Sequence, residues 1–266
     1  MEKCKIFITF IVLLISTAVF SEEKYQIIRE KVLPNNLGTF REIEFDTNNN
    51  QSAIFYTVIL NKNYHAMLHM HESKEQSDAA YLDELNQQHH FIVGINGGFY
   101  QSNFMPVGLF IYHGNLINNL THSSLFKSCV VVNKNNKIIL ETELNECSKA
   151  SNAMQTGPLL IKDGKINTEL ENLKNKSDLL NFFDAHKRTL LALTNENNII
   201  LLTASSLGLM DVANFLAHFP NALGTSQIKT AINLDGGSST GMYIQFPDEP
   251  FYLHELKHVK TFIFIN

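Results

Sequence analysis

The feature that most limits what this chain can fold into is the segment 228–234, in which Ile228, Ile232 and Leu234 are apolar, followed by Asp235-Gly236-Gly237. Apolar residues two apart are typical of one face of a β-strand, so the segment predicts a strand. Glycine adopts positive φ at little cost, which lets the chain turn sharply after the carboxylate. Three hydroxyl-bearing residues follow the glycines: Ser238, Ser239 and Thr240. The stretch indicates either a polar hairpin turn or a carboxylate held at a rigid strand end, beside donors for an anion.

A second stretch of the same design favours the functional interpretation. Residues 91–96 form another apolar run, and this run ends in Asn96-Gly97-Gly98. Two strands that each end in a polar side chain and two glycines make sense if both ends line one cleft. We therefore predict that Asn96 and Asp235 belong to a single site.

The rest of the chain is a series of short apolar runs separated by short polar turns. Asp163-Gly164 is a strong hairpin signal, and no helical pattern interrupts residues 106–166, so the strands there are predicted to be antiparallel. Apolar residues at helical spacing predict helices at 77–88 and 209–219. The predicted strands are 25–28, 40–45, 53–60, 64–71, 91–96, 106–112, 116–117, 128–132, 138–140, 159–161, 190–193, 199–203, 228–234, 241–246 and 260–265. These patterns predict one α+β domain with a mixed, mainly antiparallel β-sheet and a few packing helices.

The N-terminus has the pattern of an export signal. Lys3 and Lys5 precede an apolar segment, residues 6–20, and a small residue follows it. The segment is shorter than the roughly 20 residues that span a bilayer comfortably, so a cleaved signal is favoured over a retained anchor. We predict a signal peptide at 1–21 and a domain at 22–266 that is secreted or periplasmic, without stable membrane insertion after cleavage.

The charge of the chain argues against one class of partner. The formal net charge is −5, and the sequence has no Lys/Arg cluster that would form a basic face, so nucleic acid is not an expected partner. Hydrophobic residues make up 44% of the chain, which is ordinary for a protein with a real core. The oligomeric state is left open.

Cysteines and histidines limit the disulfide and metal chemistry that can be expected. Removal of the signal leaves Cys129 and Cys147, which could pair in an oxidising compartment and close a loop worth roughly 3 kcal/mol. The sequence has no CxxC, no HExxH and no Cys/His array with zinc-site spacing. His65, His69 and His71 could share a strand face and bind a metal, but an exposed strand face is the preferred interpretation. No cofactor is expected, with a divalent metal kept as an alternative.

Five motifs that occur in order carry a resemblance to a known family. They are Asn96-Gly97-Gly98-Phe99, residues 156–160 with Asp163-Gly164, residues 186–189, residues 208–213 and residues 233–239. Over residues 90–265 or so, the chain resembles the phosphodiester glycosidase family. It departs from the family pattern at Lys187, where proline usually precedes the arginine, and at Ser238, where a third glycine is common. These departures leave the expected fold intact and the substrate open.

The resemblance implies hydrolysis of a sugar-1-phosphodiester to a free sugar and a phosphomonoester, with envelope or exopolysaccharide glycans as the substrate class. Asp235 is expected to transfer a proton or to stabilise positive charge at the anomeric carbon. Arg188 is expected to hold the phosphate with paired donors, and Asn96 to orient a sugar hydroxyl or the attacking water. Further candidates for substrate binding are Gly97, Gly98, His186, Thr189, Gly236, Gly237, Ser238 and Ser239, with His186 as a second candidate acid or base.

Other functions stay open beside this one. A non-catalytic glycan- or sugar-phosphate-binding envelope protein would use the same residues without turnover. A metal-dependent phosphodiesterase would need ligands such as Asp235 with His69 or His71. A serine hydrolase acting through Ser238 is disfavoured, because Gly-Gly-Ser-Ser is not the Gly-x-Ser-x-Gly elbow. No second carboxylate pairs with Asp235 in the sequence, so cleavage of the C–O or of the P–O bond is left open.

Overall fold

The computed structural model describes residues 24–47, 51–71, 79–176 and 180–266. The predicted signal peptide, 1–21, lies outside these residues. Within the described ranges, no helix has the length and apolar character needed to cross a membrane.

β-Strands dominate the secondary structure, and each strand pairing is antiparallel. The strands are β1 (Tyr25–Val32), β2 (Gly38–Asp46), β3 (Ser52–Leu60), β4 (Ala66–Met70), β5 (Val93–Asn96), β6 (Phe110–Tyr112), β7 (Asn115–Asn118), β8 (Ser128–Val132), β9 (Ile138–Glu141), β10 (Ala153–Thr156), β11 (Leu159–Lys162), β12 (Lys165–Ile166), β13 (His186–Thr194), β14 (Ile199–Leu207), β15 (Ile228–Asn233), β16 (Met242–Ile244), β17 (Phe251–Leu253) and β18 (Thr261–Ile265). The predicted α+β class with mainly antiparallel sheets is confirmed.

The helices are short and connect or cover strands. They are α1 (Leu82–His89), α2 (Leu144–Cys147), α3 (Glu169–Lys174), α4 (Leu180–Phe183) and α5 (Leu209–His218). The prediction of a helix at 209–219 is confirmed to within one residue by α5. Its apolar residues at helical spacing bury one face, and Pro220 lies just beyond its end.

The helix predicted at 77–88 was placed too early in the chain. Residues 77 and 78 lie outside the described residues, and Ala80 pairs in an extended bridge with Val259. The helix begins at Leu82, whose N–H donates to Glu255 Oε1 at 3.2 Å. A carboxylate at the N-terminus of a helix satisfies a donor that has no partner within the helix. A residue far along the chain therefore helps to set where α1 starts, and local apolar spacing could not reveal this.

The strands form one large sheet and two smaller ones. Sheet I has the order β1-β2-β3-β14-β13-β15-β11-β12, sheet II the order β7-β6-β10-β8-β9, and sheet III the order β17-β16-β5-β18-β4. The two motif strands of the sequence fall in different sheets, with β15 in sheet I and β5 in sheet III.

A central core lies among the three sheets, because each sheet turns one face towards it. On β13, Leu191 belongs to the central core, whereas Leu190 packs on the other face with the residues of α5. On β18, Ile263 points into the central core, and Phe262 and Phe264 pack on the outer face beside α1. This alternation is the period of two expected for a pleated strand. The runs are apolar throughout because both faces are buried.

Helix α5 covers the outer face of sheet I with aromatic contacts. Phe215 on α5 stacks on Phe55 of β3 with ring centres 4.0 Å apart, and it also meets Phe45 of β2 at 5.0 Å. All three rings are at least 95% buried. Burial of each such ring stabilises the fold by roughly 1.5–3 kcal/mol.

A disulfide fastens α2 to the outer face of sheet II. Cys129 on β8 is bonded to Cys147 on α2, with Cα atoms 6.2 Å apart. Both residues are fully buried, so the disulfide lies inside the apolar cluster between α2 and sheet II and not at the protein surface.

We predict that the variant Cys129→Ala/Cys147→Ala unfolds with a free energy roughly 3 kcal/mol lower than that of the wild-type protein, because the cross-link restricts the unfolded chain. Urea denaturation followed by far-UV circular dichroism measures the difference. A reducing agent should lower the stability of the wild-type protein and leave that of the double variant unchanged. A wild-type protein that is insensitive to the reductant would contradict the prediction.

Candidate active site

The two glycine-ended strand tips meet in the structure. β5 ends at Asn96 in sheet III, and the end of β15 in sheet I is followed within two residues by Asp235. The main-chain N–H of Asp235 donates to the carbonyl of Gly97 at 3.1 Å, and Asn96 Nδ2 donates to the carbonyl of Asp235 at 2.8 Å. Asp235 is therefore held where sheets I and III come together.

Sheet II reaches the same place through β10. Thr156 Oγ1, at the end of β10, donates to the carbonyl of Asn233 at 2.9 Å. Met154, two residues earlier on β10, accepts a hydrogen bond from the N–H of Gly98 through its sulfur at 2.9 Å. All three sheets thus contribute to the frame around Asp235.

The side chain of Asn96 braces this junction. It is fully buried, and its Oδ1 accepts hydrogen bonds from Thr189 Oγ1 at 2.7 Å and from the N–H of Gly241 at 3.1 Å. Its Nδ2 donates to Asp235, as described above. Both ends of the amide are therefore bonded to protein groups. Direct contact of Asn96 and Thr189 with a substrate stays a prediction.

Gly97 and Gly98 allow β5 to approach its neighbours closely. A Cβ atom on Gly97 would lie 2.9 Å from the carbonyl oxygen of Thr261, and one on Gly98 would lie 3.0 Å from the sulfur of Met154. The N–H of Gly97 donates to Thr261 O at 2.6 Å. The N–H groups of both glycines are thus used inside the protein, which gives the pair a packing role. Their contact with a substrate stays a prediction.

The second glycine pair differs, because one of its members faces open space. A Cβ atom on Gly236 would lie 2.7 Å from the carbonyl oxygen of Lys187, so this position is packed. Gly237 has φ of +61°, and apart from its chain neighbours no atom of the described residues lies within 4 Å of the place where its Cβ would be. Gly237 begins a short 3₁₀ turn, Gly237–Ser239, in which Ser238 is half-buried and Ser239 is buried. This turn is the open side of the junction.

The Asp235 carboxyl lies between a buried frame and this open turn. Its Oδ1 accepts a hydrogen bond from the N–H of Gly236 at 2.9 Å. Burial raises the pKa of Asp235 above its ordinary value of 3.8, while hydrogen bonds from Ser239 and Gly236 and the charge of Lys257 act in the opposite direction. A raised pKa favours the protonated form of a carboxyl, and such a carboxyl is a candidate for proton transfer.

Two residues beside Asp235 were missed by the sequence reasoning. The hydroxyl of Tyr100 lies 3.4 Å from Ser239 Oγ and donates to the carbonyl of His258 at 3.0 Å. Lys257 Nζ lies 5.1 Å from the centre of the Tyr100 ring. Tyr100 lies two residues after the Asn-Gly-Gly motif, which is a usable signal. Lys257 lies in an irregular loop between β17 and β18, and no pattern in the sequence marks it.

Arg188 is near the junction, but its guanidinium group is largely used within the protein. It is 97% buried. Its Nε donates to Leu207 O at 3.1 Å and its Nη2 to Phe182 O at 3.0 Å and to Asp184 O. Burial lowers the pKa of Arg188 to about 10, with Asp184 acting against this change. These bonds leave only Nη1 for another partner. Binding of phosphate by two donors of Arg188 stays a prediction. His186 is exposed at the start of β13.

A buried glutamate lies behind the loop that carries Lys257. Glu255 is 5% exposed, and its carboxylate receives the N–H of Leu82 at 3.2 Å and the hydroxyl of Tyr252 at 2.6 Å. Burial is the main cause that raises the pKa of Glu255 to about 7. Gly241 packs directly on this side chain, since a Cβ there would lie 2.4 Å from its Cδ.

The histidines form a cluster away from the strand tips. The ring of His69 lies 4.5 Å from that of His89 and 6.4 Å from that of His71. Burial and the neighbouring histidines lower the pKa of His69 to about 3, so the ring is neutral. Among the described residues, no group of three or more His, Cys, Asp or Glu side chains is arranged to hold a metal ion. His65 is exposed beside β4.

Among the described residues, three cavities have linings that do not include Asp235. One of about 480 Å³ is lined by residues that include His122, Lys127 and Glu143, and a smaller one adjoins it at Lys127. The ammonium of Lys127 is paired with Glu169 at 2.9 Å. The charge of Lys127 is thus already partly balanced.

Comparison with known proteins gives a family match and a shared fold. The sequence matches the family described as phosphodiester glycosidase over residues 89–265. No curated protein matches the sequence.

Three solved structures are similar to the chain. The first is the zebrafish N-acetylglucosamine-1-phosphodiester alpha-N-acetylglucosaminidase catalytic domain auto-inhibited by its pro-peptide, with a TM-score of 0.63 and 14% identity over 93% of this chain and 85% of that one. A hypothetical protein from Synechocystis has a TM-score of 0.60 and 15% identity over 86% of this chain and 62% of that one. A protein from Burkholderia pseudomallei described as exported has a TM-score of 0.51 and 10% identity over 81% and 74%. At these identities the likeness is one of fold.

We predict that Arg188→Ala lowers the free energy of unfolding by roughly 2–4 kcal/mol, because buried carbonyl groups lose their charged donor. The exposed Arg29 is a matched control. It pairs with Glu42 at 2.9 Å and its guanidinium lies 5.3 Å from the centre of the Phe40 ring, so Arg29→Ala should cost less than Arg188→Ala, about 1 kcal/mol. Urea unfolding of both variants tests the contrast. Equal stability of Arg188→Ala and the wild-type protein would show that the carbonyl contacts contribute nothing.

We also predict a pH dependence of stability that comes from Glu255. Because the pKa is raised from 4.5 to about 7 in the folded protein, the native state keeps a proton that the unfolded state has lost in this range. The free energy of unfolding therefore falls as the pH rises across it, by up to about 3 kcal/mol from this residue. Glu255→Gln should flatten the decline, and the exposed Glu249→Gln should not. Identical pH profiles for Glu255→Gln and the wild-type protein would contradict the prediction.

Proposed function

The chain belongs to the phosphodiester glycosidase family, and we propose that it hydrolyses a sugar-1-phosphodiester to a free sugar and a phosphomonoester. The observation that carries the proposal is the Asp235 carboxyl at the meeting point of three sheets, with hydroxyl donors, an open turn and a cation beside it. The family match supplies the reaction class. The geometry supplies a group able to carry it out.

Asp235 is the proposed catalytic residue. Hydrolysis requires a proton for the departing oxygen and removal of a proton from the attacking water, whichever of the C–O and P–O bonds is broken. The raised pKa of Asp235 favours a carboxyl that holds a proton and can give it up during the reaction. Once ionised, the same carboxylate can accept a proton from water or stabilise positive charge at the anomeric carbon.

The other predicted site residues are proposed to form two groups, those that contact the substrate and those that hold the backbone around Asp235 in place. Ser238, with the N–H groups at the start of the Gly237–Ser239 turn, is proposed to bind substrate oxygens on the open side. Ser239 is fully buried, and its hydroxyl is proposed to hold the Asp235 carboxyl in place. Asn96 and Thr189 are proposed to act as positioning residues, because their hydrogen bond to each other fixes the backbone that carries Asp235. Arg188 is proposed to hold the main chain of α4 and of β14 in place, through its hydrogen bonds to the carbonyls of Phe182 and Leu207. Its remaining donor is Nη1.

We propose that the protein is exported and acts on envelope or exopolysaccharide glycans. The signal pattern at 1–21 is the basis in the sequence. A buried disulfide suits an oxidising compartment and would be unusual in a reducing cytosol.

Asp235→Asn should abolish most of the turnover of sugar-1-phosphodiesters, by roughly 10²–10⁴-fold, because the amide cannot exchange a proton. The variant should be no less stable than the wild-type protein at neutral pH, since it removes a carboxylate whose burial is unfavourable. Asp163→Asn is the control, because Asp163 is exposed in a turn with φ of +50° that asparagine tolerates.

Release of sugar and of phosphomonoester from a panel of sugar-1-phosphodiesters measures both variants. Unchanged turnover in Asp235→Asn would remove Asp235 from the mechanism. Tight binding of the panel without turnover by the wild-type protein would favour the non-catalytic binding function. Loss of activity on chelation of divalent metal would favour the metal-dependent phosphodiesterase.

A further inference from the structure

We propose that Lys257 is the cation that binds the substrate phosphate, and that Tyr100 holds its ammonium group in position. The assignment deepens the proposed function and rests on it for the identity of the substrate. Lys257 would be the residue that touches substrate, and Tyr100 would be a positioning residue.

The loop that carries Lys257 is fastened on both sides of it to the two motif segments. On one side, the N–H of Leu256 donates to the carbonyl of Ser238 at 2.8 Å. On the other side, the carbonyl of His258 accepts the hydroxyl of Tyr100 at 3.0 Å. Residue 257 is therefore held at the rim between the Asp-Gly-Gly turn and the segment that follows Asn-Gly-Gly.

The Lys257 side chain is available to a ligand. It is exposed, and within the described ranges it forms no ion pair shorter than 4.0 Å. Its Nζ lies 5.1 Å from the centre of the Tyr100 ring, within the range of a cation–π interaction. This contact keeps the ammonium group at the rim and reduces the freedom that a lysine loses when it binds an anion.

Tyr100 is itself fixed, so it can act as a support. Its ring stacks on that of Phe104 at 5.8 Å, with 21° between the planes. Phe104 has φ of +61°, which is rare for a bulky residue. The loop is closed by hydrogen bonds from Phe104 N to Gln101 O at 2.9 Å and from Gln101 N to Met105 O at 2.8 Å. A local conformation of this kind persists where the surrounding contacts impose it.

The alternative cation is less suited to the task. Arg188 is buried and donates through Nε and Nη2 to main-chain carbonyls. The charge of Lys257, in contrast, acts on the Asp235 carboxyl directly. A phosphate held by Lys257 would lie beside the group proposed to transfer the proton.

The assignment is tested by direct binding as well as by turnover. Isothermal titration calorimetry with inorganic phosphate and with a glycosyl methyl phosphodiester gives affinities for the full mature protein and its variants. Lys257→Met should weaken both affinities roughly 5- to 20-fold, the range expected of one partly exposed charge pair. Lys257→Arg should stay within a few-fold of the wild-type protein, because arginine keeps the charge and the contact with the ring.

Further variants separate a direct role from a general loss of charge. Lys229→Met is the control for charge, since Lys229 is exposed on β15, and it should leave the affinities unchanged. Tyr100→Leu should weaken phosphate binding less than Lys257→Met does, and it should add little when it is combined with Lys257→Met. In turnover assays, Lys257→Met should raise KM and make it less sensitive to salt.

The outcomes distinguish this assignment from the proposed function. Turnover by the wild-type protein with unchanged KM and phosphate affinity in Lys257→Met would overturn the assignment alone. Weaker binding in Lys187→Met but not in Lys257→Met would move the role to the other lysine. Phosphate binding that depends on Lys257 in a protein without turnover would overturn the hydrolase and keep the assignment. A wild-type protein that binds neither probe would overturn the assignment.

Discussion

The side-chain amide of Asn96 is the contact on which the rest of the site depends. It joins Thr189 and Gly241 through its oxygen and Asp235 through its nitrogen, so one buried group ties sheet III to two segments of the chain outside it. Each such bond contributes roughly 1 kcal/mol net, but a buried partner left without one costs more. The network therefore penalises any displacement of the strand tips. A catalytic carboxyl needs this kind of fixed backbone, because small errors in position are costly to the reaction.

The two glycine pairs look alike in sequence and differ in what they do. Gly97 and Gly98 bring strands of all three sheets close together around the frame, and their N–H groups are consumed by that packing. Gly237, by contrast, has no close neighbour from the described part of the chain where its side chain would be, so the turn is open on that side. Glycine thus allows close packing at the end of β5 and leaves space beside the turn that follows β15. The proposed chemistry is at the open tip, which carries Asp235 and Ser238.

Local pattern was sufficient to predict most of the strands, α5 and the convergence of Asn96 with Asp235, but it missed β10 and β17. It could not predict features set by distant contacts. The start of α1 depends on Glu255, which is 173 residues away from Leu82. The partners of Arg188 depend on how α4 packs against β13, and the sequence shows only a cation at a strand start. Apolar runs such as residues 190–193 indicate burial on both faces but do not say which sheet or helix covers each face. The apolar pattern of the sequence therefore could not predict how the strands are divided among three sheets.

The charges around Asp235 also suggest how substrate would prepare the acid. In the free protein, burial raises the pKa of Asp235, and the charge of Lys257 opposes that rise. A phosphodiester bound to Lys257 would neutralise the opposing charge and bring a negative charge close to the carboxyl. Both effects raise the pKa further, because a nearby anion disfavours ionisation and water is displaced at the same time. Binding would therefore favour the protonated carboxyl just when an oxygen of the substrate needs a proton in order to leave. A cation on a fixed loop and an acid on a fixed strand tip are the two parts that such coupling requires.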